Sequence, residues 1–206
     1  MPKTTYVNVE LKTNTGDITV NSDLSFNSAK ANTDTGDISW KANVNESIEF
    51  GTDTGDIRVS DITAKSITAS GDTGSMTIKN TNLSGKFKFD NDTGYIVVDN
   101  CQIGSIEGST TTGGMSFKRT TLTGDLNAHC STGDVKFISF DAANIDVGTS
   151  TGDITGSLKT GKIFTANTST GKVSVPTSSG SGYAKLTYAP TKAFNFSTFA
   201  SRFRQR

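Results

Sequence analysis

Apolar and polar residues alternate along this chain in short bursts, and the bursts return on a fixed beat. A Thr-Gly pair marks each return, with glycines at Gly16, Gly36, Gly55, Gly74, Gly94, Gly113, Gly133, Gly152 and Gly171, spaced by 20, 19, 19, 20, 19, 20, 19 and 19 residues. The second residue after each glycine is always apolar, from Ile18 through Met76 and Met115 to Val173. The fourth is apolar in eight of the nine repeats, including Val20, Trp40, Ile78 and Phe137, with Gly156 the exception. Period-two alternation predicts a strand with one buried face. The β-branched and aromatic residues at the inward positions suit a strand. No repeat holds the i, i+3, i+4, i+7 spacing of an amphipathic helix.

A looser apolar set lies half a period on: Leu24/Phe26, Ile48/Phe50, Ile67/Ala69, Phe87/Phe89, Leu126/Ala128 and Ile145/Val147. One repeat therefore carries at least two strands and two corners. No single repeat can bury its apolar face alone, but a stack of them can. The expected fold is all-β: a parallel β-solenoid (β-helix) of about nine to ten coils of 19–20 residues, followed by a non-repeat C-terminal tail. At roughly 4.8 Å per coil, nine coils make a rod about 40 Å long. The expected boundaries are 1–188 for the solenoid and 189–206 for the tail.

The Thr-Gly-Asp corner has a mechanical reading. Glycine reaches positive φ at little steric cost. Asp17, Asp37, Asp56, Asp134 and Asp153 can accept hydrogen bonds from nearby backbone N–H groups in a tight turn. Strand parity puts residues 50, 52 and 54 on one side, and likewise Leu11, Thr13 and Thr15. On that parity the threonines form an inward, partly buried ladder whose hydroxyls bond along the stack.

Composition changes this picture little. Only 33% of the 206 residues are hydrophobic, which in a non-repetitive chain would point to disorder but here reflects a narrow core with many turns. Formal net charge is zero, so there is no general case for nucleic-acid binding. The zero hides an asymmetry. Residues 177–206 carry Lys185, Lys192, Arg202, Arg204 and Arg206 and no acid, so they contribute +5 and the remainder, 15 basic against 20 acidic, contributes −5. Cys101 and Cys130 sit at different phases of adjacent repeats, which argues against a disulfide. No apolar run approaches the length of a membrane span, and no signal-peptide pattern is present.

Several motifs have sharper readings that their surroundings weaken. Asp72-Thr73-Gly74-Ser75 spells an aspartic-protease loop, but that chemistry needs two such loops facing each other. Here the same words recur at Asp34, Asp53 and Asp92 as stacked corners. A calcium-binding Asp ladder is broken by Ser75, Tyr95 and Gly114. Thr-x-Thr at 13/15, 33/35, 52/54, 110/112, 149/151 and 168/170 is superficially like the flat Thr array of ice-binding solenoids. Inward parity and the breaks at Gly71, Asn91 and Cys130 leave ice binding a minor alternative. His129, the single histidine, has no Ser/acid constellation around it in sequence. No catalytic, cofactor-binding or metal-binding residue is expected, and the chain reads as a non-enzyme. In the tail, Phe194, Phe196, Phe199, Arg202, Phe203 and Arg204 are the candidate contacts, serving either as a cap on the last coil or as an interaction segment.

The recurring unit Asn14-Thr15-Gly16-Asp17-Ile18-Thr19-Val20, repeated as Ser150-Thr151-Gly152-Asp153-Ile154 and most closely in 165–176, resembles a bacterial adhesin-like family with β-strand repeats, a domain of unknown function. The resemblance spans roughly residues 5–188. It implies a β-solenoid in cell-envelope or extracellular proteins, with no established catalytic residues. The combined expectation is a non-enzymatic structural or surface-interaction solenoid that presents side-chain ladders to a protein or cell-surface partner. The alternative is a filament subunit joined to copies of itself, end to end, through parallel strand stacking. A carbohydrate-acting solenoid enzyme would need acids clustered on one outer face, and the acids here fall mostly at corners.

Overall fold

A computed structural model of the chain describes residues 5–160 and 164–175. Among these residues every named strand pairing is parallel, and there is no helix. The chain winds as a solenoid between two sheets. One contains the long strands Thr5–Thr15, Ser25–Thr35, Ser47–Thr54, Ser66–Thr73, Asn82–Thr93, Gln102–Thr112, Leu126–Thr132, Ile145–Thr151 and Phe164–Thr170 in spatial order, with three two-residue strands at its margin. The other stacks nine short strands from Ile18–Val20 to Val173–Ser174. Register follows the sequence period: Ile38 pairs with Ile57 and Met76 with Ile96, one coil apart.

Both apolar rows of the short strands point inward as their alternation predicts. Ile38, Trp40, Ile57, Val59, Ile96 and Val98 are all buried. Trp40 is fully buried, and its indole N–H donates to the Ala42 carbonyl at 2.7 Å, so the one polar atom of the ring is satisfied. Its ring lies 5.5 Å from Phe26 and 5.6 Å from Phe50, centroid to centroid.

The long-strand rows depart from the expected set in two coils. Ala29 and Ala31, not Leu24 and Phe26, lie beside Ile48 and Phe50, while Phe26 pairs with Val44 on a short third side of the coil. Farther along, Phe87 and Phe89 lie beside Ile106 and Gly108. The reason is volume. One inward column reads Leu11, Ala31, Phe50, Ala69, Phe89, Gly108, Ala128, Val147, so each phenylalanine has small neighbours above and below. A Cβ on Gly108 would sit 2.6 Å from the Phe89 ring. Dense packing tolerates no such overlap. Gly156, the gap in the short-strand pattern, coincides with a register shift that pairs Phe140 with Leu158 and keeps that coil's core filled.

Candidate interaction surface

The corner after each long strand organises the surface. All nine corner glycines have φ between +133° and +155°. From Gly36 onward each packs its Cα against the preceding corner. A Cβ on Gly55, for example, would lie 2.0 Å from the Gly36 carbonyl oxygen. The repeat therefore needs glycine for conformation and for space.

The residue three before each glycine supplies the inward ladder. Thr33, Thr52, Thr149 and Thr168 are buried and donate to the corner carbonyls of Gly16, Gly36, Gly133 and Gly152 at 3.1, 3.2, 2.9 and 2.9 Å. Where the row breaks, it is repaired. Asn91 reaches the Gly74 carbonyl at 3.1 Å, and its side-chain oxygen occupies the space a Cβ on Gly71 would need. Cys130 fills the same row and approaches the Gly133 carbonyl at 3.2 Å. Thr110 is buried there with no hydrogen-bond partner for its hydroxyl.

The parity argument fails for the second threonine of each pair. Thr54 and Thr15 do not follow Phe50 and Leu11 inward: Thr15, Thr35, Thr54, Thr73, Thr93, Thr112, Thr132, Thr151 and Thr170 are all exposed. The strand runs on to the second threonine and the bend falls at the glycine after it, but burial stops alternating past the buried threonine, the last inward row of the strand. Two consecutive residues, such as Asp53 and Thr54, then face water. The result is an unbroken outward column of nine threonines, adjacent members in register. Beside it run the exposed Asp34, Asp53, Asp72 and Asp92, followed by Thr111, Ser131, Ser150 and Ser169.

The corner aspartates bond between coils rather than within a turn. Asp17, Asp37, Asp134 and Asp153 each accept the backbone N–H of the same position one coil on, at 2.8 Å, and Asp56 does so at 2.7 Å. Ser75 continues the ladder by accepting from the Tyr95 N–H at 3.2 Å. Arg58 pairs with Asp37 and Asp56, both at 2.5 Å. The Asp56 N–H first, and Arg58 second, hold the Asp37 carboxyl below its ordinary range. Tyr95, 62% exposed, replaces an aspartate, and a Cβ on Gly114 would be 3.0 Å from its ring. The tyrosine thus depends on the glycine that follows it one coil later.

A second ladder was missed in the sequence. Asp61, Asn80, Asn100, Arg119 and Ser139 adopt positive φ without being glycine. Asn80 donates to Asp61 and Asn100 to Asn80, both at 2.8 Å, and the Asn80 bond is the first cause of the lowered Asp61 pKa. These positions recur every 19 or 20 residues. Asn and Asp favour the left-handed region, so the period and residue types together were a usable signal.

No arrangement suited to catalysis emerges among the described residues. Asp72 lies in the stacked column, not opposite a second carboxylate. His129 is exposed, its ring beside Gly148. Cys101 and Cys130 are free and buried, and burial pushes the Cys101 thiol up to about 11, so it stays protonated and unreactive. An open groove of about 550 Å³ does collect Glu107, Asp125 and Asp146 on one outer face, away from the Thr-Gly corners. Glu107, however, is paired with Lys86 at 2.5 Å, which lowers its pKa, the opposite of what a general acid needs. Asp125 accepts from Asn144 at 2.7 Å. No group of three or more potential ligands is placed to hold a metal ion, and no helix is long and apolar enough to cross a membrane, among the described residues. Phe194, Phe196, Phe199, Arg202, Phe203 and Arg204 lie outside the described residues.

Residues 1–187 match the family model Toastrack DUF4097. The chain belongs to the Toastrack family. That membership agrees with the β-solenoid and brings no assigned activity, since the family is a domain of unknown function. No curated protein and no solved structure matches the chain.

Proposed function

We propose that this Toastrack domain is a non-enzymatic rod that presents side-chain columns to a protein or cell-surface partner, in the bacterial envelope or outside the cell. The observation that carries this reading is the outward threonine column with its flanking aspartates and hydroxyls. A shape held by inter-coil bonds at every corner keeps these groups in a fixed array, and preorganised groups lose less entropy on binding. A single exposed rank bordered by four carboxylates is a poor match to the flat, uncharged double rank of an ice-binding face, so ice binding ranks below this reading.

The test is binding of the fluorescently labelled full chain to whole bacterial cells and to isolated envelopes. The comparison is a variant carrying Thr54→Ala, Thr73→Ala and Thr93→Ala. These side chains are exposed, so circular dichroism should not change. Binding that is lost in the variant supports the reading; equal binding by both, or by neither, sinks it. End-to-end assembly is the second reading, favoured by the end strands Thr5–Thr15 and Phe164–Thr170, which each pair on one side only among the described residues. Light scattering and negative-stain imaging of the full chain, and of a chain ending at residue 188, separate filaments from monomeric rods.

A further inference from the structure

The outer face of the short-strand sheet carries a charge pattern unlike the rest of the rod. Its outward strand positions hold Arg58, Lys79, Lys118 and Lys136 against one acid, Asp99, with Lys41 just past the end of its strand. The corner aspartates Asp17, Asp37, Asp56, Asp134 and Asp153 border the opposite edge. Asp99 is already paired with Arg119 at 2.6 Å, and Arg58 with the corner aspartates. Lys41, Lys79, Lys118 and Lys136 make none of the ion pairs found among the described residues. Elsewhere Lys30, Lys65 and Lys86 are paired with Glu49, Glu46 and Glu107, while Lys12, Lys88 and Lys172 also stand outside the ion pairs. The rod therefore leaves lysines outside ion pairs on one face, and carboxylates outside ion pairs, Asp34, Asp53, Asp72 and Asp92, on another side. Lys41 has only a longer-range attraction to Asp61.

The cations are regularly placed. Ser60, Lys79, Asp99, Lys118 and Ile138 are in register, one per coil. Lys41 stands one residue past the Trp40–Val59 pair, in the same column. Lysines thus recur every second coil, about 10 Å apart at the parallel-strand spacing. Lys136 lies on the neighbouring column, in register with Ser116, so the charge spreads over a plane rather than along a line. Tyr95 is a single exposed aromatic at the edge of this face, whereas single-stranded nucleic acid needs successive aromatics on which bases stack. A regular array of lysines with hydroxyls between them, in fixed register, matches a plane of anionic headgroups.

We propose that this face docks the rod lengthwise on an anionic lipid surface. The rod lies flat, with the threonine and aspartate columns turned away from the Lys41–Lys79–Lys118 column. The inference goes beyond the presentation reading and involves different residues.

Co-sedimentation of the full chain with vesicles tests it, using phosphatidylcholine alone and phosphatidylcholine mixed with phosphatidylglycerol. Binding should require phosphatidylglycerol and weaken as salt shortens the screening length. Lys41→Gln, Lys79→Gln and Lys118→Gln together should reduce affinity roughly fivefold per lysine, about a hundredfold in all. Lys12→Gln, Lys30→Gln and Lys88→Gln remove equal charge from the long-strand side and should leave binding near wild type. Four results would overturn the proposal: no sedimentation with phosphatidylglycerol vesicles, equal loss in the two triple variants, no loss in the first, or binding to soluble polyphosphate without binding to vesicles. The Thr54, Thr73, Thr93 variant should still bind lipid, which separates this failure from that of the presentation reading.

Discussion

Gly55→Ala and Gly16→Ala make the same chemical change at equivalent corners with different surroundings. Gly55 has φ +147° and Gly16 φ +133°. Both replacements put an L side chain where the backbone disfavours it, at about 1–3 kcal/mol. At Gly55 the new Cβ would also lie 2.0 Å from the Gly36 oxygen and 2.5 Å from its carbonyl carbon, whereas at Gly16 the nearest atom is Thr13 Oγ1 at 3.9 Å. Relief at Gly55 requires the two coils to separate. That strains the flanking bonds, Gly36 N–H to the Thr54 carbonyl and Ile38 N–H to the Asp56 carbonyl, both 2.8 Å. Overlap of this kind adds about 1–3 kcal/mol. Gly55→Ala should therefore cost about 2–6 kcal/mol and Gly16→Ala only the strain term of about 1–3 kcal/mol. Urea unfolding followed by fluorescence of Trp40, the only tryptophan and fully buried, measures both. Equal losses at the two sites would refute the claim that coil-to-coil contact, and not φ alone, demands glycine.

Thr149→Val should destabilise by about 1–2 kcal/mol by removing the bond to the Gly133 carbonyl. Thr110→Val, where the buried hydroxyl has no partner, should be neutral or stabilising in the same unfolding assay. Gly114→Asp restores the repeat consensus yet should destabilise, because a Cβ there meets the Tyr95 ring; Tyr95→Ala in the same chain should recover part of the loss. The Cys101 thiol, raised to about 11 by burial, should react with a thiol reagent at neutral pH only after unfolding; rapid native labelling would contradict its burial. The Asp37 pKa is lowered in the folded chain. Its contribution to stability is thus complete above the ordinary carboxylate range and is lost as pH falls through the folded pKa. The urea midpoint should fall on acidification, and fall less in Asp37→Asn; identical slopes would count against the Asp37 bonds.

Period and residue type were enough to read the solenoid, its coil length, the inward rows Ile38/Trp40 and Ile57/Val59, and the glycine corners. These are local properties: strand parity and positive φ act over a few residues, and repetition multiplied the signal ninefold. The first contradiction came where locality ends. Parity predicts burial only where the strand lies over the core, so Thr52 was placed inward correctly while Thr54, at the strand's end past the last buried row, faces outward. Other features depend on which residue lies one coil away. Phe89 fills the space over Gly108, Asn91 over Gly71, and Tyr95 over Gly114. Each pair is 19 or 20 residues apart and reads in sequence as an unrelated exception. The candidate surfaces belong to the same class. Lysines are unremarkable in the sequence, and only the register shows that Lys30 meets Glu49 while Lys79 meets Ser60 and Asp99. Sequence decided the coil because the coil is built from short-range rules; the stack decided what faces water and what stays unpaired, because those depend on neighbours a full turn away.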